Sequence, residues 1–296
     1  MEAENSHSQD LRSGDAILRR RALGNLVRDA EGGCPPAALM RACVCRLGDE
    51  ERAVRRFARD SLAAWLAEGN GPTRRAIRGR LKEALGHRNP NVASSAAQIL
   101  ARDGGSRSQL IEPLLRGFSL DEEEERRAAA ETLTRLAHSQ ARLAARLRTL
   151  ARRGTPVERR MALYCLRDLP RSASVGADPF LRALTDPDPI VRSTAASSLG
   201  RLGQRSRLVL DALLRALKQD PSILIRRVAA VALGQIAPSR RDVRTSLEET
   251  MEAEDPDLRR AARHALARLA PAVPRRRART TRAAAASRRK ARARSR

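Results

Sequence analysis

One pattern of apolar and polar positions recurs eight times along the chain, starting at Leu18, Val54, Val92, Glu125, Glu158, Val191, Ile225 and Leu258. Four positions after each start stands an alanine: Ala22, Ala58, Ala96, Ala129, Ala162, Ala195, Ala229 and Ala262. Eight positions after it stands a leucine: Leu26, Leu62, Leu100, Leu133, Leu166, Leu199, Leu233 and Leu266. Positions 0, 4 and 8 share one side of a helix, so each copy predicts a helix whose core stripe runs through Ala and Leu. Three residues before the starts lie Asp15, Glu51, Asn89, Glu122, Thr155, Asp188, Ser222 and Asp255, mostly side chains whose oxygens cap the free N–H groups of a first turn. Pro90, Pro156, Pro189 and Pro256 follow at the first helical position, where a missing N–H costs nothing. Helices are therefore expected to begin near residues 16, 52, 90, 123, 156, 189, 223 and 256. The stretches before them carry their own apolar spacing, as in Leu181/Leu184, Leu214/Leu217 and Leu247/Met251, and supply a first helix for each pair.

The steps between starts are 36, 38, 33, 33, 33, 34 and 33 residues. A near-constant step of that size means one supersecondary unit stacked repeatedly, each copy burying its apolar face on its neighbours. The fold class expected is all-α, an α-solenoid of about eight stacked helix pairs over residues 11–274. The two longer steps mark irregular connectors around Gly32–Pro36 and Gly69–Pro72, and the first copy, with little chain before it, is expected to be a half-unit acting as an end cap. Residues 1–10 are expected to be disordered.

The most legible copy, PFLRALTDPDPIVRSTAASSLGRLG from Pro179 to Gly203, resembles a HEAT repeat of the short bacterial type: a leucine-spaced first helix, a DPDPxVR turn, then A-A-x-x-L-G-x-L-G. The features return in LLRALKQDPSILIRRVAAVALGQIA and EDPDLRRAARHALARLA. The resemblance covers roughly Asp15 to Pro271 and weakens at Glu125 and Glu158, where the usual Val is replaced. It implies a scaffold and no chemistry by itself. It also implies that the arginine at position 1, present as Arg19, Arg55, Arg126, Arg159, Arg192, Arg226 and Arg259, bridges the turn acids of adjacent layers.

Charge changes the picture. The net charge is +25, and eleven of those charges lie in the last twenty-two residues, which contain no acid: Arg275, Arg276, Arg277, Arg279, Arg282, Arg288, Arg289, Lys290, Arg292, Arg294 and Arg296. Residues 275–296 can form no core and repel themselves, which predicts a disordered Arg-rich tail able to contact phosphates. In the body, six copies carry a second arginine at position 2: Arg20, Arg56, Arg127, Arg160, Arg227 and Arg260. That position points away from the core stripe, and the resemblance places the second helices along a concave side. Two readings stand beside each other: a basic row that engages an acidic protein or peptide, or a solvated face with local Asp/Glu pairing.

Other chemistry finds little footing. Cys34, Cys43, Cys45 and Cys165 form no CxxC pair and read as small apolar residues of a reducing compartment, and His7, His87, His138 and His264 are scattered, so no metal or cofactor is expected. HEAT-like arrays include alkylpurine DNA glycosylases, whose reading face needs aromatics; here Trp65 and Tyr164 lie three units apart. The hydroxylases of the group use His-Glu steps, and this chain has none. The phycobilin lyases share the repeat type alone. No catalytic residue is expected. The polar, acidic start and the lack of long apolar runs point to a cytoplasmic protein without a membrane role. The reading is a non-enzymatic scaffold for a protein partner on its concave face, with nucleic-acid association through the tail. The alternative is a protein that binds DNA or RNA non-specifically through tail and row together.

Overall fold

The computed structural model describes residues 10–29, 35–136, 141–169, 175–236 and 240–269. The N-terminal nine residues, the connector at 30–34 with Cys34, His138 and the whole basic tail lie outside the described residues. Among the described residues the chain is all-α. The second helices of the units are α1 (Ala16–Asp29), α3 (Arg52–Glu68), α5 (Pro90–Arg102), α7 (Glu123–Leu136), α9 (Pro156–Asp168), α11 (Pro189–Leu202), α13 (Ile223–Ile236) and α15 (Pro256–Arg268). Between them come the first helices α2 (Ala37–Arg46), α4 (Gly71–Ala84), α6 (Arg107–Arg116), α8 (Ala141–Arg153), α10 (Asp178–Ala183), α12 (Arg207–Gln219) and α14 (Arg241–Thr250). All eight second helices start at the residues the caps indicate.

The caps act as side-chain acceptors in several copies. Asn89 accepts from the Asn91 N–H, Asp188 from Val191, and Asp255 from Leu258. Thr155 and Glu158 form a reciprocal capping box, which accounts for the carboxylate at that position 0. Glu125, the other departure, accepts from Arg55 Nε at 2.9 Å. Both replacements of the usual Val are thus half-buried carboxylates with defined partners. Glu51 makes no side-chain cap bond.

Two compact units divide the chain, Met1–Ser198 and Leu199–Arg296. In the first, second helices pack on second helices (α1 on α3, α3 on α5, α5 on α7, α7 on α9) and first helices on first helices (α2 on α4, α8 on α10), giving two layers. In the second, α13 packs on α15 and α12 on α14. The alanine at position 4 is at most 1% exposed in every copy, because a side chain ending at Cβ lets the facing helix come close. Leu18, with no described layer over it, is 38% exposed. Large core side chains come from both layers, Leu62, Leu100 and Leu133 from second helices and Leu110, Leu114, Phe118 and Phe180 from first helices and the turns after them.

The glycine of the A-A-x-x-L-G segment is a contact residue. A Cβ built on Gly234 would lie 2.6 Å from Ala265 Cα and 2.7 Å from Ala265 Cβ, so α13 and α15 touch backbone to backbone. Gly200 stands in the same relation to Ala232, at 3.0 Å. Gly79, exposed on α4, has nothing within 4 Å. Replacing a mid-helix glycine by alanine ordinarily gains up to about 1 kcal/mol of helix propensity. Gly79→Ala is expected to realise that gain, whereas Gly234→Ala should destabilise by about 1–3 kcal/mol as α15 is pushed away. Urea unfolding of the two variants checks the opposite signs; stabilisation by both would refute the close contact.

Candidate interaction surfaces

The position-1 arginines are built into the fold. Arg19, Arg55, Arg126, Arg192 and Arg259 each direct Nη1 to two backbone carbonyls, five and six residues back, in the turn that joins the helices of the unit. Arg159 makes the same bond to Gly154 alone. Carbonyls left free where a first helix ends thereby gain a charged donor. The rest of the guanidinium is available to a neighbouring unit. Arg19 donates to both oxygens of Asp49, at 2.9 and 2.8 Å, and Arg159 to both oxygens of Asp186, at 2.8 and 2.7 Å. Arg55 reaches past the third unit, whose position 1 is Ala93, to Glu122 and Glu125 at the start of α7. Bridging of turn acids thus occurs from Arg19, Arg55 and Arg159, while the clamp on the unit's own turn recurs more widely and was not visible in sequence spacing.

Arg226 departs from the pattern, donating to the Leu217 carbonyl. Its neighbour Arg227 takes over the bridge, with Nε and Nη2 on Asp255 at 2.9 and 2.6 Å and Nη1 within 3.1 Å of Asp257.

The position-2 arginines do not share one environment. Arg20 is exposed, with no hydrogen-bond or carboxylate partner among the described residues. Arg56 lies 3.7 Å from Asp60, Arg127 is 2.8 Å from Glu123, and Arg260 pairs with Asp257. Arg160 is half-buried, and its Nε is buried without a hydrogen bond. The third copy carries Ser94 instead, fully buried, accepting from Gln98 at 3.2 Å. In the first unit, Arg20, Arg56, Arg127 and Arg160 are therefore separated by an uncharged step; in the second, Arg227 and Arg260 share the carboxylate of Asp257.

A feature the stripe analysis missed lies on α13. Leu224 and Val231, seven residues apart and hence on one side of the helix, are 48% and 42% exposed. Its sequence, ILIRRVAAVALGQI, is apolar almost all round although only part of it is buried, and that was the available signal. Among the described residues of the neighbouring α15, Arg260, Arg263 and His264 are exposed.

Burial pushes the Cys43 thiol up to about 12, and burial, with a smaller contribution from Asp168, raises that of Cys165 as well, so both remain protonated at neutral pH. Trp65 and Tyr164 are half-buried, and Tyr164 carries the Arg167 guanidinium 5.0 Å from its ring centre. Among the described residues no three His, Cys, Asp or Glu side chains gather as metal ligands, and no helix is long and apolar enough to cross a membrane.

Residues 177–267 match the family described as HEAT repeats. Over that segment the chain carries HEAT repeats. Solved structures agree on the fold. Kap95p, in a structure described by its binding to RanGDP, superposes with a TM-score of 0.61 at 14% identity over 90% of this chain and 40% of its own. YibA of Escherichia coli gives 0.55 at 16%, over 90% and 92% of the two chains. Kap121p bound to Nup53p gives 0.51 at 14%, over 90% and 37%. The chain thus spans 40% and 37% of the two karyopherins. No curated protein matches it.

The Arg19–Asp49 pair generates a pH prediction. Burial acts to raise the Asp49 pKa, but hydrogen bonds from Arg19 and Arg46 and from the Glu51 N–H outweigh it and hold the carboxyl below its usual range. Asp242 and Asp255 are lowered too, chiefly by Arg240 and Arg227. A lowered folded-state pKa contributes stability above the unfolded value, about 3.9 for Asp, that is lost as pH falls through the folded value. The melting temperature should therefore be flat near neutrality and drop below about pH 4. Asp49→Ala, which leaves the Arg19 guanidinium buried without its carboxylate, should cost about 3–5 kcal/mol at pH 7 and shrink the acid-dependent drop. Calorimetry between pH 2 and 8 reads both; an unchanged profile in the variant would remove Asp49 from the account.

Proposed function

We propose that the protein is a non-enzymatic scaffold that holds an acidic protein or peptide segment on the solvent side of its second helices, with its basic tail adding electrostatic nucleic-acid association. The observation that carries this reading is the pair Leu224 and Val231 on α13, exposed beside the cations of α15. Exposed apolar side chains set among cations suit an amphipathic acidic segment, which would bury its apolar residues on the pair and bring carboxylates to Arg260 and Arg263. The karyopherins of the same fold support the reading, being described in complex with RanGDP and Nup53p. Position-1 arginines take no part, since their donors already serve the turns. Of the position-2 row, Arg20 has its guanidinium least committed.

Gentle purification with and without nuclease separates this reading from the one in which tail and row bind nucleic acid together. A protein partner should survive nuclease and be lost from the Leu224→Asp/Val231→Asp variant, while nucleic acid continues to co-purify with that variant through the tail. If all bound material is removed by nuclease and the α13 variant is indistinguishable from wild type, the scaffold reading fails.

A further inference from the structure

In the first unit, the layer of first helices carries a cationic surface quite different from the position-2 row. Helix α8, ARLAARLRTLARR, contains five arginines and no acid. Leu143, Ala144, Leu147 and Ala151 are its buried side, and arginines occupy much of the rest. Arg146 is held by Glu112, at 2.9 and 2.7 Å. Arg142, Arg152 and Arg153 are exposed and have neither carboxylate nor hydrogen-bond partner among the described residues. From Arg142 to Arg153 the helix advances about 16 Å at its usual rise.

The acids that line the grooves on either side of this helix have other partners. Glu112 faces Arg146, Asp178 faces Arg182, Asp186 faces Arg159, and Glu158 accepts from the Thr155 N–H. Two of the free guanidiniums, Arg152 and Arg153, line open grooves along the sides of α8. Arg152 lines one of 360 Å³ against α10, and Arg153 lines another of 350 Å³ against α6. Arg56, Arg127, Arg227 and Arg260, by contrast, each have a carboxylate within 4.0 Å.

The geometry points to α8 and its two grooves as a docking surface for the phosphate backbone of a nucleic-acid duplex, on the layer opposite the second helices. Between the arginines, the exposed positions of α8 are Ala145 and Thr149, and Leu150, in the wall of the α6 groove, is half-buried, so the helix presents no exposed large apolar side chain to anchor a protein interface or to enter a membrane. Cations separated at the surface only by alanine and threonine suit a polyanion recognised by charge, and B-DNA presents a charge every 1.7 Å or so of its axis. Contacts of this kind position the duplex without reading its sequence. The inference is independent of the partner-binding face on α13.

The test uses the full chain and a fluorescent 20-base-pair duplex, with affinity measured over a salt series. The Arg142→Gln/Arg152→Gln/Arg153→Gln variant should bind at least ten-fold more weakly at about 0.1 M salt, and its slope of log K against log salt should be shallower by about 2.7, three contacts at about 0.9 each. Scrambling the duplex sequence should change neither result. Arg56→Gln with Arg127→Gln serves as the control and should alter the slope little. Far-ultraviolet circular dichroism verifies folding, and the double variant Arg152→Gln/Arg153→Gln, with an expected slope change near 1.8, stands in if the triple variant is poorly folded. An unchanged affinity and slope in folded variants would overturn the proposal, as would loss of polyglutamate binding with duplex binding intact, which would assign α8 to an acidic protein. Either result leaves the α13 reading to its own experiment.

Discussion

The rest of the structure depends on how closely successive second helices approach one another. Alanine at position 4 is buried in every copy and contributes no atom beyond Cβ, so the distance is set by backbone and methyl groups. The contact between Gly234 and Ala265 takes this to its limit. Alanine also loses no side-chain entropy on burial, so many small contacts can stabilise a core with little aromatic content. Bulk enters from the position-8 leucines and from the other layer and its turns, where Phe118, Phe180 and the leucines of α6 fill what the alanine seam cannot.

Close stacking also decides the fate of much of the charge. Each unit turns sharply between its helices, leaving carbonyls that no helical N–H reaches. A guanidinium at position 1 has five donors in a planar fork, enough to serve two carbonyls and still meet a carboxylate from another unit. Lysine could not do both with one geometry. Where the third copy has Ala93, Arg55 extends to Glu122 and Glu125; where Arg226 turns to Leu217, Arg227 supplies the bridge. The function is kept although the residue that performs it changes.

The large positive charge is therefore spread over three kinds of site within the described residues. Position-1 arginines are internal fasteners. Most position-2 arginines are offset by acids one turn away or in the neighbouring unit. On α8, three guanidiniums have no offset, and the adjacent acids are taken by other partners. Net charge alone gives no means of telling these apart, because the difference lies in which carboxylate lies within reach.

By itself the sequence determined the repeat, its length, the start of every second helix and most of the core stripe, which fails at Leu18 and is half-buried at Leu26, Glu125, Glu158 and Leu266. These depend on local rules: periodicity of 3.6 residues, oxygen-bearing caps and proline at the first turn act within a few positions and leave direct marks in the chain. It also made the position-1 arginines recognisable as structural. Tertiary structure alone decided their partners, such as the reach from Arg55 to Glu125, seventy residues away, and the solvent exposure of Leu224 and Val231 on a helix apolar nearly all round. Helix periodicity fixes which way a side chain leaves its own helix; what it meets there depends on the neighbouring units, and only the packed stack places them.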